Sequence, residues 1–208
     1  MSDDLEAALT EAVRLFPPLS PDFFRRYLQE IIRWNDDVGL VSKTDPVAAC
    51  RRLLIASAEF GGVVRTLAGA EARVADVGSG AGFPGVVWRW LYPDWKIVLI
   101  ERREKKAAFL EHVARHLSLR NLEVVGADAR DASRLETHRA AFDVVATMAV
   151  GPPARTAPEI EDLLVPASLF ATTLPGDVDP PARCGAHLVL EGDIREQFGR
   201  YALYRNRV

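Results

Sequence analysis

Cysteine is scarce in this chain, with two residues in 208, Cys50 and Cys184, far apart in sequence. Neither belongs to a Cys-x-x-Cys pair or stands beside a candidate metal ligand. The spacing therefore supports neither a disulfide framework nor a metal site, and both residues read as reduced thiols of a cytosolic protein. Long hydrophobic runs are also lacking, so no stretch is long enough to span a bilayer. The first residues, Met1 to Glu11, are acidic and carry no apolar run, which excludes a signal peptide and points to a cytoplasmic protein. Charge of one sign is not in surplus. Lys and Arg total 26, Asp and Glu total 29, and the formal net charge is -3. No global attraction to nucleic acid follows, and any RNA contact requires a local basic patch. Internal repeats and low-complexity tracts are absent. What the chain has in quantity is hydrophobic residues, 49% of the total, ample for one domain with a terminal extension.

The pattern divides near Gly62. Asp3 to Phe16 places Leu5, Ala8, Leu9, Ala12, Val13 and Phe16 on one helical side, and Pro17–Pro18 stops that helix. Ser20 and Pro21 form a helix start, followed by a stripe of Phe23, Phe24, Tyr27, Ile31 and Trp34. A third helix is expected from Pro46 to about Phe60, with Gly61 and Gly62 loosening the chain. Residues 1–62 thus read as a helical cap and residues 63–208 as the main domain. In the main domain, strands are expected at Arg73–Val77, Lys96–Ile100, Leu122–Val125, Phe142–Ala146 and Leu169–Leu174. His187–Leu190 and Tyr201–Tyr204 read as a closing antiparallel pair. Helices are expected at Phe83–Leu91, Glu104–Leu117 and Glu159–Leu164. Alternating strands and helices predict an α/β, Rossmann-like fold with a mostly parallel, seven-stranded sheet covered on both faces.

The most informative stretch is Val74-Ala-Asp-Val-Gly-Ser-Gly-Ala-Gly-Phe-Pro-Gly85. Gly78, Gly80 and Gly82 follow a strand and precede a helix. Such a turn lets a ligand lie on bare backbone and offers it free helix N–H groups. Gly80 to Gly85 also satisfies Gly-x-Gly-x-x-Gly, so a nicotinamide or flavin enzyme remains a rival. Glu101 ends the second strand, where a carboxylate can hold ribose hydroxyls in either case. Two residues favour S-adenosylmethionine. Asp76, just before the glycines, is placed to hold a cationic cofactor or its amino group. Asp128, past the third strand, is placed to meet an adenine amino group.

The run Asp76 to Gly85, with its Phe-Pro-Gly ending, resembles the signature of the GidB-like small-subunit ribosomal RNA methyltransferases (methyltransferase G). Glu101 followed by Lys105-Lys-Ala-Ala-Phe-Leu110 is similar to that family's second-strand acid and following helix. Phe142-Asp-Val-Val145 resembles its fourth strand, and Trp34-Asn35 with Val38 to Pro46 its helical cap. The resemblance covers most of the chain from about Trp34. It implies a class I methyltransferase fold, S-adenosylmethionine as cofactor, and methyl transfer to N7 of a guanine in 16S ribosomal RNA. Ribosomal RNA or the small subunit would be the partner, with no membrane involved and the protein expected to act as a monomer. The expected cofactor contacts are Asp76, Gly78, Ser79, Gly80, Gly82, Phe83, Glu101, Asp128 and Ala129. The family pattern has Ser-Arg-Ala after the fourth strand where this chain has Thr147-Met148-Ala149. It has Leu-Lys-Gly after the fifth where this chain has Leu174-Pro175-Gly176. A His-Phe-Leu-Asp-Ser run in the third helix is replaced by Arg52-Leu-Leu-Ile-Ala56. Met148, Arg51 and Arg52 are accordingly the acceptor-side candidates. A non-ribosomal or small-molecule acceptor, or a non-catalytic cofactor-binding homologue, stands as the second expectation.

Remaining features take plainer readings. Arg102, Arg103, Lys105 and Lys106 read mostly as a solvated helix start. His112 and His116, one turn apart, have no third ligand at matching spacing and read as surface or interface residues. Trp88, Trp90 and Trp95 read as helix-on-sheet packing.

Overall fold

The computed structural model describes residues 2–208. Three helices come first: α1 (Ser2–Leu15), α2 (Pro21–Val38) and α3 (Pro46–Ala68). The Ser20 hydroxyl caps α2 with Pro21 at its first turn, and the Asp45 carboxylate caps α3 through the Ala48 N–H at 2.9 Å. Gly39 ends α2 in the left-handed region. The expected end of the third helix near Phe60 is corrected to Ala68. The helix continues through Gly61 and Gly62 because Gly61 is buried against Trp88 and Tyr92, where only a residue without Cβ fits. No helix among the described residues is long and apolar enough to cross a membrane.

The strands β1 (Arg73–Val77), β2 (Lys96–Ile100), β3 (Leu122–Val125), β4 (Phe142–Thr147) and β5 (Leu164–Thr173) pair in parallel. Then β6 (Arg183–Cys184), β7 (Leu188–Arg195) and β8 (Arg200–Asn206) add antiparallel, in the order β3-β2-β1-β4-β5-β8-β7-β6. The sheet therefore has eight strands rather than the expected seven. The extra one, β6, has only two residues and follows Pro180–Pro181, too short for any period to show. Between the strands lie α4 (Gly85–Leu91), α5 (Glu104–His116), α6 (Ala129–Ala132) and α7 (Pro153–Ile160), the last running into a short 3-10 turn at Glu161–Leu163. Helix α7 replaces the helix expected at Glu159–Leu164.

Alternation along the strands separates two cores. Val74, Ile97, Leu99, Val144, Leu169 and Leu203 face a core shared with α1 to α5. Ala75, Val98, Ile100, Val145, Phe170 and Tyr204 face a second core completed by α6 and α7. Trp88 and Trp95 are fully buried in the first core, as the packing reading requires, whereas Trp90 is 37% exposed and stacks on Phe23 at 4.3 Å. The cap is joined to the sheet by directed contacts as well. The Tyr27 hydroxyl donates to the Ala81 carbonyl at 2.7 Å. Glu59 accepts from the Tyr201 hydroxyl at 2.7 Å and from the Phe198 N–H. Glu30 meets His112 at 2.7 Å, so His112 sits at the α2–α5 interface, while His116 stacks on it and is exposed.

Candidate functional site

Strand register places the chemistry. Val77 pairs with Ile100, Ile100 with Val125, and Asp76 with Ala146, so β1 to β4 end at one level. The residues just beyond those ends must meet along the carboxyl edge of the sheet. Strand β1 pairs with β2 on one side and β4 on the other, which makes this the point where strand order reverses and a crevice opens. A cleft of about 270 Å³ lies there. Its walls include Gly78 and Gly80, Glu101 to Arg103 with Lys106, Ala127 to Ala129, and Met148 to Val150. Arg155, Thr156 and Glu159 of α7 close the far side.

The glycine turn folds as its sequence demands. Gly78 and Ser79 donate to the Ile100 carbonyl at 2.8 and 3.3 Å, which ties the turn to the end of β2. Gly78 has φ +75°, and a Cβ there would meet the Val150 side chain at 2.7 Å. Gly82 has φ +99°, and a Cβ there would meet the Tyr27 hydroxyl at 2.7 Å. Left-handed backbone and close packing both exclude larger residues at these two positions. Helix α2 thus supports the turn from behind, and Tyr27 is a contributor that the sequence showed only as one member of an apolar stripe.

Glu101 is the best-defined polar group in the cleft. It is buried, and its Oε2 accepts the Gly80 N–H at 2.9 Å while Oε1 accepts the Arg103 N–H at 2.8 Å. Two charge-assisted backbone bonds fix the carboxylate beside the turn, and each oxygen keeps a lone pair for a ligand hydroxyl. Asp128 caps α6 through the Arg130 N–H at 3.1 Å and lies 3.9 Å from Arg102.

The expected cofactor contacts divide by position. Gly78, Gly80, Glu101, Asp128 and Ala129 line the cleft. Asp76, Ser79, Gly82 and Phe83 are not among its lining residues. Asp76 is fully buried beneath the turn, with Oδ2 accepting the Gly85 N–H at 3.0 Å and Oδ1 without a partner. Burial pushes its carboxyl up to about 8, against the pull of the Gly85 N–H. It pins the turn to the start of α4. Ser79 donates to the Asp76 carbonyl at 2.7 Å, and Phe83 packs on Tyr27 with ring centres 5.5 Å apart. These four residues shape the turn from its inner side.

On the acceptor side, Met148 lines the cleft, and its sulfur lies 3.6 Å from the Ser57 hydroxyl of α3. Arg51 does not line it. Its guanidinium pairs with Glu11 of α1 beside a separate hollow between α1 and α3. Arg52 is exposed and also outside the cleft. Conversely, Arg102, Arg103 and Lys106, read from sequence as a solvated helix start, line the cleft. So do Val150, Arg155, Thr156 and Glu159, which sequence reasoning missed because Gly151-Pro-Pro153 reads as loop. Burial and the neighbouring Arg103 lower the Lys106 pKa from its ordinary value.

Comparison with known proteins agrees with this architecture. Residues 22–172, well over half of the chain, match the family model described as GidB, rRNA small subunit methyltransferase G. A curated relative from Roseiflexus castenholzii, named ribosomal RNA small subunit methyltransferase G, is 39% identical over 127 residues, covering 61% of this chain and 53% of the relative. One of the same name from Nitrosomonas europaea is 33% identical, covering 58% and 57%. The matched part of the chain spans about half the length of these relatives. Among solved structures, the putative methyltransferase yhhF from Escherichia coli superposes with TM-score 0.54 at 18% identity, covering 72% of this chain and 83% of that one. A SAM-dependent methyltransferase from Aquifex aeolicus gives TM-score 0.52 at 16% identity, covering 71% and 89%. Identities this low speak for the fold alone, a class I methyltransferase fold. With the family match spanning the glycine turn, Glu101, Asp128 and the β4 end, the chain belongs to the rRNA small subunit methyltransferase G (GidB) family.

Proposed function

We propose that this protein is an S-adenosylmethionine-dependent methyltransferase that acts in the cytoplasm, as a monomer, on N7 of a guanine in 16S ribosomal RNA. Helices α1 to α3, which run on to Ala68 rather than ending at residue 62, serve as a cap that braces the cofactor turn. The observation that carries the reading is the convergence of Gly78, Gly80, Glu101 and Asp128 on one cleft at the reversal of strand order, inside the segment that matches the family.

The donor set fits the cofactor. Glu101 has lone pairs free for ribose hydroxyls, Asp128 can accept from an adenine amino group, and Gly78 and Gly80 leave bare backbone for close approach. When bound, the cofactor supplies an electrophilic methyl group on a sulfonium. Guanine N7 offers a lone pair and carries no proton, so the protein needs no general base. Its work is to align donor and acceptor and to exclude water. The methylated purine acquires the positive charge that the sulfonium loses. Met148 and Val150 give the acceptor side an apolar surface on which a flat base can rest.

The test is label transfer from radiolabelled S-adenosylmethionine to purified small ribosomal subunits and to naked 16S RNA, followed by nucleoside analysis. Labelled N7-methylguanosine is the expected product. Cofactor binding with no labelled RNA from either substrate would overturn the ribosomal acceptor.

A further inference from the structure

The charges around the cleft do not balance. Its walls carry four cations, Arg102, Arg103, Lys106 and Arg155, and three carboxylates, Glu101, Asp128 and Glu159. Glu101 accepts two backbone N–H groups, Asp128 faces Arg102 at 3.9 Å, and Glu159 faces Arg130 at 3.9 Å. Three lining cations remain: Arg103, Lys106 and Arg155. Among the described residues, none of the three has a carboxylate within ion-pair distance. The lining is thus positive by one charge, against a formal net charge of -3 for the chain.

Their placement adds a geometric point. Arg103 and Lys106 come from the start of α5, whose buried face packs into the first core through Phe109, Leu110 and Val113. Arg155 comes from α7, which packs into the second core through Ala157 and Ile160 on the opposite face of the sheet. The cations therefore reach one cleft from both faces of the sheet, across its carboxyl edge. A cofactor that is itself cationic at the sulfonium does not call for three cations without ion-pair partners at its own site. A polyanionic strand crossing the edge does, since each cation can neutralise a separate phosphate and release a counterion.

We propose that Arg155 on one face and Arg103 with Lys106 on the other form a two-sided phosphate clamp, which lays the acceptor RNA strand across the cleft mouth. The assignment rests on the RNA-acceptor reading above and adds the residues that position the strand. Arg155 is the decisive member, because it alone represents the α7 side.

The experiment measures binding of a fluorescent single-stranded 16S RNA fragment of about 20 nucleotides to the full chain over a salt series. Arg155→Ala is expected to weaken binding about 3- to 10-fold at low salt. It should also reduce the slope of log affinity against log salt by about 0.7, the contribution of one phosphate contact on a single strand. Arg155→Lys should retain the slope, and Arg103→Ala with Lys106→Ala should lower it further. Arg14→Ala, a basic residue on α1 remote from the cleft, serves as the charge control. An unchanged slope in Arg155→Ala, or an equal change in Arg14→Ala, would overturn the clamp. So would a loss of S-adenosylmethionine affinity in Arg155→Ala as large as its loss of RNA affinity, which would make Arg155 a cofactor ligand. Methyl transfer measured alongside separates the two claims. Labelled RNA with an unaffected Arg155→Ala slope removes the clamp and keeps the methyltransferase. An Arg155-dependent slope without labelled RNA keeps the clamp as an RNA-binding surface and removes the ribosomal acceptor.

Discussion

Two buried carboxylates on neighbouring strands hold different offices in this protein. Asp76 lies one residue before the end of β1 and Glu101 one residue beyond the end of β2, and both were expected to touch the cofactor. Only Glu101 reaches the cleft. The reason is strand parity. Val74 faces the first core, so Asp76, two residues on, points to the same side, beneath α4 and beside Leu99. Glu101 stands one residue past the end of β2, free of the pleat. Position in the motif was legible in the sequence; direction required the register. Glu101→Ala should weaken S-adenosylmethionine binding at least tenfold, because it removes a ribose acceptor and strands the Gly80 and Arg103 N–H groups. Calorimetric affinity equal to wild type would remove Glu101 from the site. Asp76 predicts a different effect. Its carboxyl rises from an ordinary 3.8 to about 8 on folding. Between those values the folded chain holds a proton that the unfolded chain has lost, so stability from this group is full below about pH 4. It declines by about 1.4 kcal/mol per unit as pH rises toward 8. Asp76→Asn has no such proton and keeps an oxygen for the Gly85 N–H. Urea midpoints for the variant should gain on wild type from pH 5 to 8 and run parallel above that; parallel curves throughout would contradict the raised pKa.

Helix α3 shows how an element can exceed its local signal. Two consecutive glycines ordinarily mark a break, yet the helix runs eight residues beyond Phe60. The two glycines differ in what surrounds them. A Cβ on Gly61 would lie 2.7 Å from the Trp88 indole nitrogen and 2.9 Å from the Tyr92 ring, whereas a Cβ on Gly62 meets nothing within 4 Å. Gly61→Ala should therefore destabilise by about 1–3 kcal/mol through overpacking against α4. Gly62→Ala, at an exposed helical site, should stabilise by about 0.5–1 kcal/mol. Denaturation midpoints that shift in the same direction for both variants would refute this account of the α3–α4 contact. Helix α7 begins six residues before the helix expected at Glu159, because its first turn is built on prolines that carry no helical signal. Pro153 sits in the first turn, where its missing N–H costs little, and the helix ends soon after Pro158. Starting the helix at Glu159 rather than Pro153 also hid Arg155 and Thr156 in the far wall of the cleft. The strand β5 begins at Leu164, five residues earlier than its apolar run shows. Pro166 and the left-handed Ala167 lie inside it, and pairing with β4 shifts register there.

Across the whole molecule, what the sequence carried best was the order of elements and the residues at strand ends. The parallel strands β1 to β4 were legible because their apolar runs are short, bounded and separated by helices. The levelling of their ends, which brings residues 78, 101, 128 and 148 together, is a property of pairing and was visible only in the sheet. The cap behaves likewise. Its helices were evident from periodicity, but its role as a brace rests on long-range bonds, Tyr27 to Ala81 and Glu59 to Tyr201. Arg51 and Arg52, chosen as acceptor-side residues by their place in the third helix, lie outside the cleft, and Arg51 pairs instead with Glu11 of α1.

The central claim is that the cleft at the carboxyl edge of β1 to β4 holds S-adenosylmethionine, and the most direct test is calorimetric titration of the full chain with that cofactor, with NAD titrated in parallel. The account predicts saturable one-to-one binding of S-adenosylmethionine, none of NAD, and loss of binding in Glu101→Ala. Binding of NAD in its place, or of neither, would contradict it.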